Sequence, residues 1–470
     1  MRKQAAALSL ITILMLGLFC GMSAHLSGNL NDFEINGEVL AGERAGAQGI
    51  ELVIERAPGG SETSAPRLTA AYSPETASQS LAVSWFPRRE AAEDAPGLSI
   101  LPSHILGAGC ADDETLSETS RGGTAFIDRA VDERAAGGEG SFELRVADCA
   151  DVLPLDFSAS GGLDLVNLPD DAELSKLFPL PVPEGLALEI DYGSYPGGSS
   201  ASISPDGGLY GCSSSALGSD GSMYLVFYVS YEGERLDAGR LPGGSWGVYR
   251  IAGSESEGRL RLDLSEAENI YPLEGGWEAA RIAAGPEGDE LLLFTVEGGA
   301  LWLTVIETAT HTAVQRLELM SAAEAAELGC ADALESIVTA RLLRSGGLMA
   351  LMPGGDTLVA LRMDSGRCAE SFALRLGSLP VPEEVVVSGG VKHTYTEDVD
   401  VKLTGGRLAI LEQLCYQHAG NDAFSSAATR LSVFENGEII FCEWLTNPLD
   451  GQMRYHNVYR SDRFSQGGAA

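Results

Sequence analysis

Apolar and polar residues alternate with a period of two along much of this chain. In SFELRVADC, Phe142, Leu144 and Val146 fall on one face, with Glu143 and Arg145 on the other. That is the pattern of a half-buried strand. RLRLDL, Arg259 to Leu264, alternates in the same way. In TRLSVFENGEIIFCEW, Asn436-Gly437 stands between two such runs. An Asn-Gly loop of this kind accepts φ > 0 at both positions, so the segment predicts a hairpin. Strands of about five to eight residues between glycine-rich turns predict antiparallel meanders. Helical spacing is rare. SAAEAAELG has Ser321 and Glu324 as a capping box and Gly329 as a stop. PDDAELSKLF, Pro169 to Phe178, predicts a second short helix.

The alternating runs belong to a repeat. Gly122-Gly123, Gly207-Gly208, Gly288-Asp289, Gly346-Gly347 and Gly405-Gly406 each precede an apolar run, at successive gaps of 85, 81, 58 and 59 residues. An earlier unit is expected near Arg67 (RLTAAYS). LPVPE occurs at Leu180–Glu184 and again at Leu379–Glu383, and GCAD at Gly109–Asp112 and Gly329–Asp332. A second cysteine follows each GCAD, 39 residues on at Cys149 and 38 on at Cys368. This spacing predicts equivalent disulfides, Cys110–Cys149 and Cys330–Cys368, each adding about 2–4 kcal/mol. A unit of about 45–60 residues holding three or four strands has the size of a propeller blade.

SISPDGGLYG, Ser202 to Gly211, resembles the Ser-Pro-Asp-Gly turn of TolB-like and related bacterial β-propeller repeats. The resemblance covers one unit and implies a fold, not an activity. The expected fold is all-β: a β-propeller of about six or seven four-stranded blades over residues 29–470. The first strand (FEINGEVL or GIELVIER) or the last (RYHNVYR) is expected to close the ring by completing the other terminus's blade.

Residues 1–28 read as an address. Arg2 and Lys3 precede an almost wholly apolar stretch from Ala5 to Ala24, long enough as a helix to cross a bilayer. Three readings stay open: a retained signal anchor, a cleaved signal peptide, and a lipidated Cys20. Each puts the rest of the chain outside the cytoplasm, anchored to the cell membrane or secreted. The remaining seven cysteines form no CxxC, so zinc ribbons and thioredoxin-type redox chemistry are not indicated.

Composition narrows the function classes. Gly is 57 of 470 residues without a G-X-Y period, which argues for many tight turns. Acidic residues outnumber basic ones 67 to 31, a formal charge of −36. Nucleic acid is therefore not an expected partner, and long-range repulsion favours a monomer and cationic ligands.

The candidate chemistry is sparse. Gly243-Gly244-Ser245-Trp246-Gly247 matches GxSxG, but a turn precedes it and a strand-like run follows, so it lacks the setting of a nucleophile elbow. Cys415 and His418 with Glu412 form a weak metal constellation. Glu397, Asp398 and Asp400 offer oxygens that suit Ca²⁺, yet an acidic run also suits a solvated strand edge. No other cofactor is indicated. Tyr192, Tyr195, Trp246 and Tyr249 lie in turn-rich stretches, where they either stack on a ligand or pack between blades.

The expected function is a non-enzymatic binding or scaffolding module taking a protein or carbohydrate ligand at a propeller face, tethered through residues 5–24. One alternative is a carbohydrate-active propeller enzyme with carboxylates converging at the channel mouth. Another is the extracytoplasmic sensor subunit of a membrane signalling complex.

Overall fold

The computed structural model describes residues 34–58, 67–84, 96–102, 108–111, 119–122, 139–166, 175–195, 198–204, 208–256, 259–286, 288–354, 356–383, 385, 387–388, 391–392, 394–416, 426–447 and 458–465. The apolar stretch 5–24 lies outside them. Among the described residues no helix is long and apolar enough to cross a membrane. The fold is mostly β, with several four-stranded antiparallel sheets. Two compact units divide the chain: residues 1–91 with 376–470, and residues 92–375.

The first unit joins the two ends of the chain. Thr394–Thr404, Arg407–Tyr416, Ser426–Glu435 and Glu438–Thr446 form an antiparallel meander, the C-terminal sheet. Asn436 and Gly437 take φ values of 52° and 81° between its last two strands, the left-handed geometry that the Asn-Gly signal requires. Asn36–Gly42, from the other end of the chain, adds to this sheet as an outer strand against Glu438–Thr446. The N-terminal sheet is Leu52–Pro58, Arg67–Ser73 and Ser78–Ser84, and Val458–Phe464 pairs with the free side of Leu52–Pro58. Each end thus completes a sheet begun by the other, as the terminal segments lead one to expect. Ile54, Leu68, Leu411, Leu431, Val433 and Phe441 from both sheets share one buried core.

The second unit holds two regular four-stranded meanders. One is Trp277–Ala284, Glu290–Glu297, Ala300–Glu307 and Thr312–Met320; the other is Arg341–Ser345, Leu348–Gly354, Thr357–Asp364 and Arg367–Arg375. Their inward residues, among them Phe294, Val305, Met349 and Leu361, form a common core. Between them lies the expected helix, Ala322–Leu328, with the Ser321–Glu324 capping box formed and Gly329 left-handed at φ 76°. A second short helix, Ala331–Leu334, follows it. The helix expected at Pro169–Phe178 is absent where it is described. Residues 175–178 are turn and bend, because Phe178 is drawn into an aromatic core, edge-on to Phe227 at 5.4 Å and to Tyr249 at 5.5 Å.

The segment before residue 277 departs from the simple meander. Ala108–Ala111 pairs with Leu209–Leu217 in parallel, and Leu163–Val166 pairs with Arg259–Asp263 in parallel. Met223–Tyr231, the central strand there, is buried at eight consecutive positions. A strand covered on both faces loses the two-residue alternation that marks a meander.

The predicted disulfides also need correction. Cys149, Cys330 and Cys368 are free thiols, so neither Cys110–Cys149 nor Cys330–Cys368 is formed. A different internal echo sets the alignment of the two segments. SFELR ends the strand Gly140–Arg145 and SFALR ends Arg367–Arg375, and each runs directly into a 3-10 turn, Val146–Asp148 or Leu376–Ser378. In that alignment Cys149 follows its SFxLR segment and Cys368 precedes its own, so the two are not equivalent. Cys212 is disulfide-bonded instead, and its register partner across the parallel pair is Cys110.

Candidate functional site

Charged residues inside apolar strands mark the first unit. An ionised group taken out of water is costly unless paired, so each such residue must find a partner. Glu443 sits in IIFCEWL between buried Cys442 and Trp444, and its side chain is fully buried. Arg44, opening the 3-10 turn Arg44–Ala47, places Nη2 2.7 Å from Glu443 Oε1. Tyr72, on Arg67–Ser73, donates its hydroxyl to the same oxygen at 2.9 Å. Arg44 Nη1 also donates to the Pro74 carbonyl at 2.7 Å. Gly37 lies against this cluster. A Cβ there meets Glu443 Oε1 at 2.3 Å and Tyr72 Oη at 2.8 Å, so any side chain at this position must displace the cluster.

Electrostatics set the cluster's chemistry. Burial pushes the Glu443 carboxyl above its ordinary range, against the opposing pull of the Tyr72 hydrogen bond and the Arg44 charge. Burial, reinforced by the Glu443 charge, pushes the Tyr72 phenol up to about 12, so it stays a donor. Arg44 keeps 30% of its side chain in solvent, and the cluster reaches water through it. Glu443 Oε2 is buried and has no hydrogen-bond partner. The arrangement is a buried carboxyl of raised pKa with one oxygen unpaired, held by an arginine that reaches the surface.

Two further ion pairs are closed to solvent. Arg430 meets Glu412 side-on, Nε to Oε2 and Nη2 to Oε1, both at 2.8 Å. Its remaining donors reach the carbonyls of Leu376, Leu379 and Pro380 at 2.9, 3.1 and 3.2 Å. The second LPVPE copy is thereby tied to the sheet. The two copies fold alike: Leu186 N donates to the Pro183 carbonyl and Val385 N to that of Pro382, at 3.1 and 3.2 Å. Arg56 and Asp462 pair at 2.5 Å between Leu52–Pro58 and Val458–Phe464, and Thr429 donates to the same carboxylate. The sequence signal for all three sites was an acid or arginine inside an apolar run, and periodicity alone passes over it.

The aromatic residues singled out by sequence have other roles. Trp246 is 8% exposed and donates from Nε1 to the Leu236 carbonyl; Tyr249 is fully buried and donates to that of Ser245. Both rings pack on Phe227. Tyr192 is half-buried and tilted against Phe142 at 5.8 Å. The Tyr195 side chain lies outside the described residues, as do His418 and the Pro205-Asp206-Gly207 turn.

Ser245 is followed by the strand Gly247–Ile251, not a helix, and its hydroxyl accepts from Asn269 at 3.1 Å. The acidic run does not converge. Asp398 accepts from Val399 N and Gln413, Asp400 from Val401 N and Phe464 N, and Glu397 accepts from the Cys415 thiol. Among the described residues no group of His, Cys, Asp or Glu is placed to hold a metal ion.

No protein-family model matches the chain, and no curated protein matches it. Among solved structures it is similar to TolB from Acinetobacter baumannii, at 12% identity over 86% of this chain and 81% of that one, with a TM-score of 0.22. A protein from Lactobacillus plantarum is similar at 9% identity over 84% and 82% of the two chains, with a TM-score of 0.25. A structure from Bacteroides uniformis, described as a 6-phosphogluconolactonase, is similar at 9% identity over 84% and 99%, also with a TM-score of 0.25. Superpositions this loose leave the fold to be argued from the strands themselves.

Proposed function

We propose that this chain is a β-propeller, carried out of the cytoplasm by residues 5–24, that acts as a non-enzymatic binding or scaffolding module. The observation that carries the reading is the mutual completion of the terminal sheets, in which the last strand enters the first sheet and the first strand enters the last. Exchanging end strands is how a circle of radial sheets fixes its termini and protects its edges. The four-stranded meanders are of blade size and support the same reading. Glu443, Glu412 and Asp462, three buried acids of the terminal unit, each pair with an arginine and link separate elements. Such a body is a rigid platform for loops, and its acidic balance of −36 suits a cationic ligand.

Residues 30–470, incubated with peptide and glycan arrays and with a panel of aryl glycosides, are expected to bind saturably without turnover. Turnover that disappears when one carboxylate is replaced by its amide contradicts the reading. Recovery of the full chain in the soluble cytoplasm of its host contradicts the address.

A further inference from the structure

Ser78–Ser84 is the outer strand of the N-terminal sheet. It pairs with Arg67–Ser73 on one side and with no described strand on the other. Its sequence, SQSLAVS, carries no charge. Residues 78–82 are all exposed, and Leu81, at 40%, is one of two large hydrophobic residues exposed among those described. The strand matches Arg67–Ser73 residue for residue with no register shift.

Proteins usually guard such an edge with charges, proline or a bulge. The outer strands of the two four-stranded meanders of the other unit are guarded in this way. Thr312–Met320 carries Arg316 and Glu318 and two register shifts; Arg367–Arg375 carries Arg367, Glu370 and Arg375 and one shift. Ser78–Ser84 has neither device, and no described strand covers its outward backbone groups.

Glutamates stand at its start. Glu75 lies in the turn leading into the strand and is exposed. The Ile35 amide donates to Gln79 Oε1 at 3.0 Å, which brings Glu34 beside the strand; Glu34 is exposed too. Arg44, which contacts the Pro74 carbonyl in the same turn, is committed to Glu443.

We propose that the free edge of Ser78–Ser84 takes up an extended, Lys/Arg-bearing segment of a partner protein as an added β-strand. Main-chain pairing supplies the binding, and Leu81 with Glu75 and Glu34 selects an alternating apolar and basic strand. A second copy of this chain fits less well, since it brings another −36 charge to the contact. The proposal deepens the binding-module reading and rests on it.

The probe is a fluorescent peptide of alternating Lys and Val, with a control N-methylated at every second residue. Residues 30–470 are expected to bind the probe, to slow amide exchange at 78–84 when they do, and to ignore the control. Leu81→Lys and Ser80→Lys are each expected to weaken binding about tenfold, a loss of about 1.4 kcal/mol. Equal binding of the control, undiminished binding by both variants, or no binding by the wild type overturns the proposal. A dimer that Leu81→Lys dissolves in sedimentation also overturns it, because the occupant is then a second copy. Capture of a ligand elsewhere refutes this edge and leaves the broader reading standing, whereas glycoside turnover refutes the broader reading.

Discussion

Glu443 keeps its carboxyl fully buried beside Arg44, whose side chain is 30% exposed. Because burial raises its pKa above the ordinary 4.5, the folded protein holds this proton more tightly than the unfolded chain does. The sign of the linkage follows. Stability from this group is greatest at and below the unfolded value and falls as pH rises through the raised folded value. Glu443→Gln keeps an acceptor for Tyr72 without a buried charge, so the wild type is expected to lose stability relative to it between pH 4.5 and 7. Denaturant unfolding of both proteins across that range checks this; a relative gain by the wild type contradicts it. Glu443→Ala strands the Tyr72 hydroxyl and is expected to cost about 1–3 kcal/mol at all these values. The existence of this cluster was half-legible. An acid between Cys442 and Trp444 in an apolar strand announces a buried partner, but which arginine, 399 positions earlier, depends on the pairing of the chain ends.

At the scale of elements, the sequence was clearest where local chemistry decides alone. The Asn436-Gly437 hairpin and the capped helix Ala322–Leu328 need only their own residues, and both formed as read. It was least clear where tertiary packing overrules local pattern. Phe178 leaves a helical spacing for an aromatic core, and Met223–Tyr231 hides its pairing because both faces are covered. The cysteine spacing misled for another reason: short echoes fix identity but not register, and only the shared strand-to-turn step at SFELR and SFALR sets the alignment. Peptide mapping without reduction is expected to find Cys212 linked to Cys110, with Cys149 and Cys368 alkylatable after unfolding; a Cys330–Cys368 peptide contradicts this. Gly42 offers a second test. It takes φ 70°, and a Cβ there lies 1.8 Å from the Ile440 carbonyl oxygen. Gly42→Ala is therefore expected to destabilise the attachment of Asn36–Gly42 by about 1–3 kcal/mol, seen as earlier exchange of its amides. An unchanged exchange pattern contradicts that attachment.

In the whole molecule, residues near one end of the sequence are built into a sheet with residues near the other. Val53 and Arg463 are register partners across Leu52–Pro58 and Val458–Phe464, and both have solvent access. Directly opposed residues of an antiparallel pair have Cβ atoms about 4.5–5.5 Å apart, close enough for a cross-link. The most direct measurement is therefore the double variant Val53→Cys with Arg463→Cys, oxidised mildly and mapped by mass spectrometry. The structure predicts a peptide joining positions 53 and 463 within a single chain, formed from folded protein and lost on unfolding before oxidation. Failure of that link, or a link found only between two chains, contradicts the interlocked ends and with them the ring of sheets proposed above.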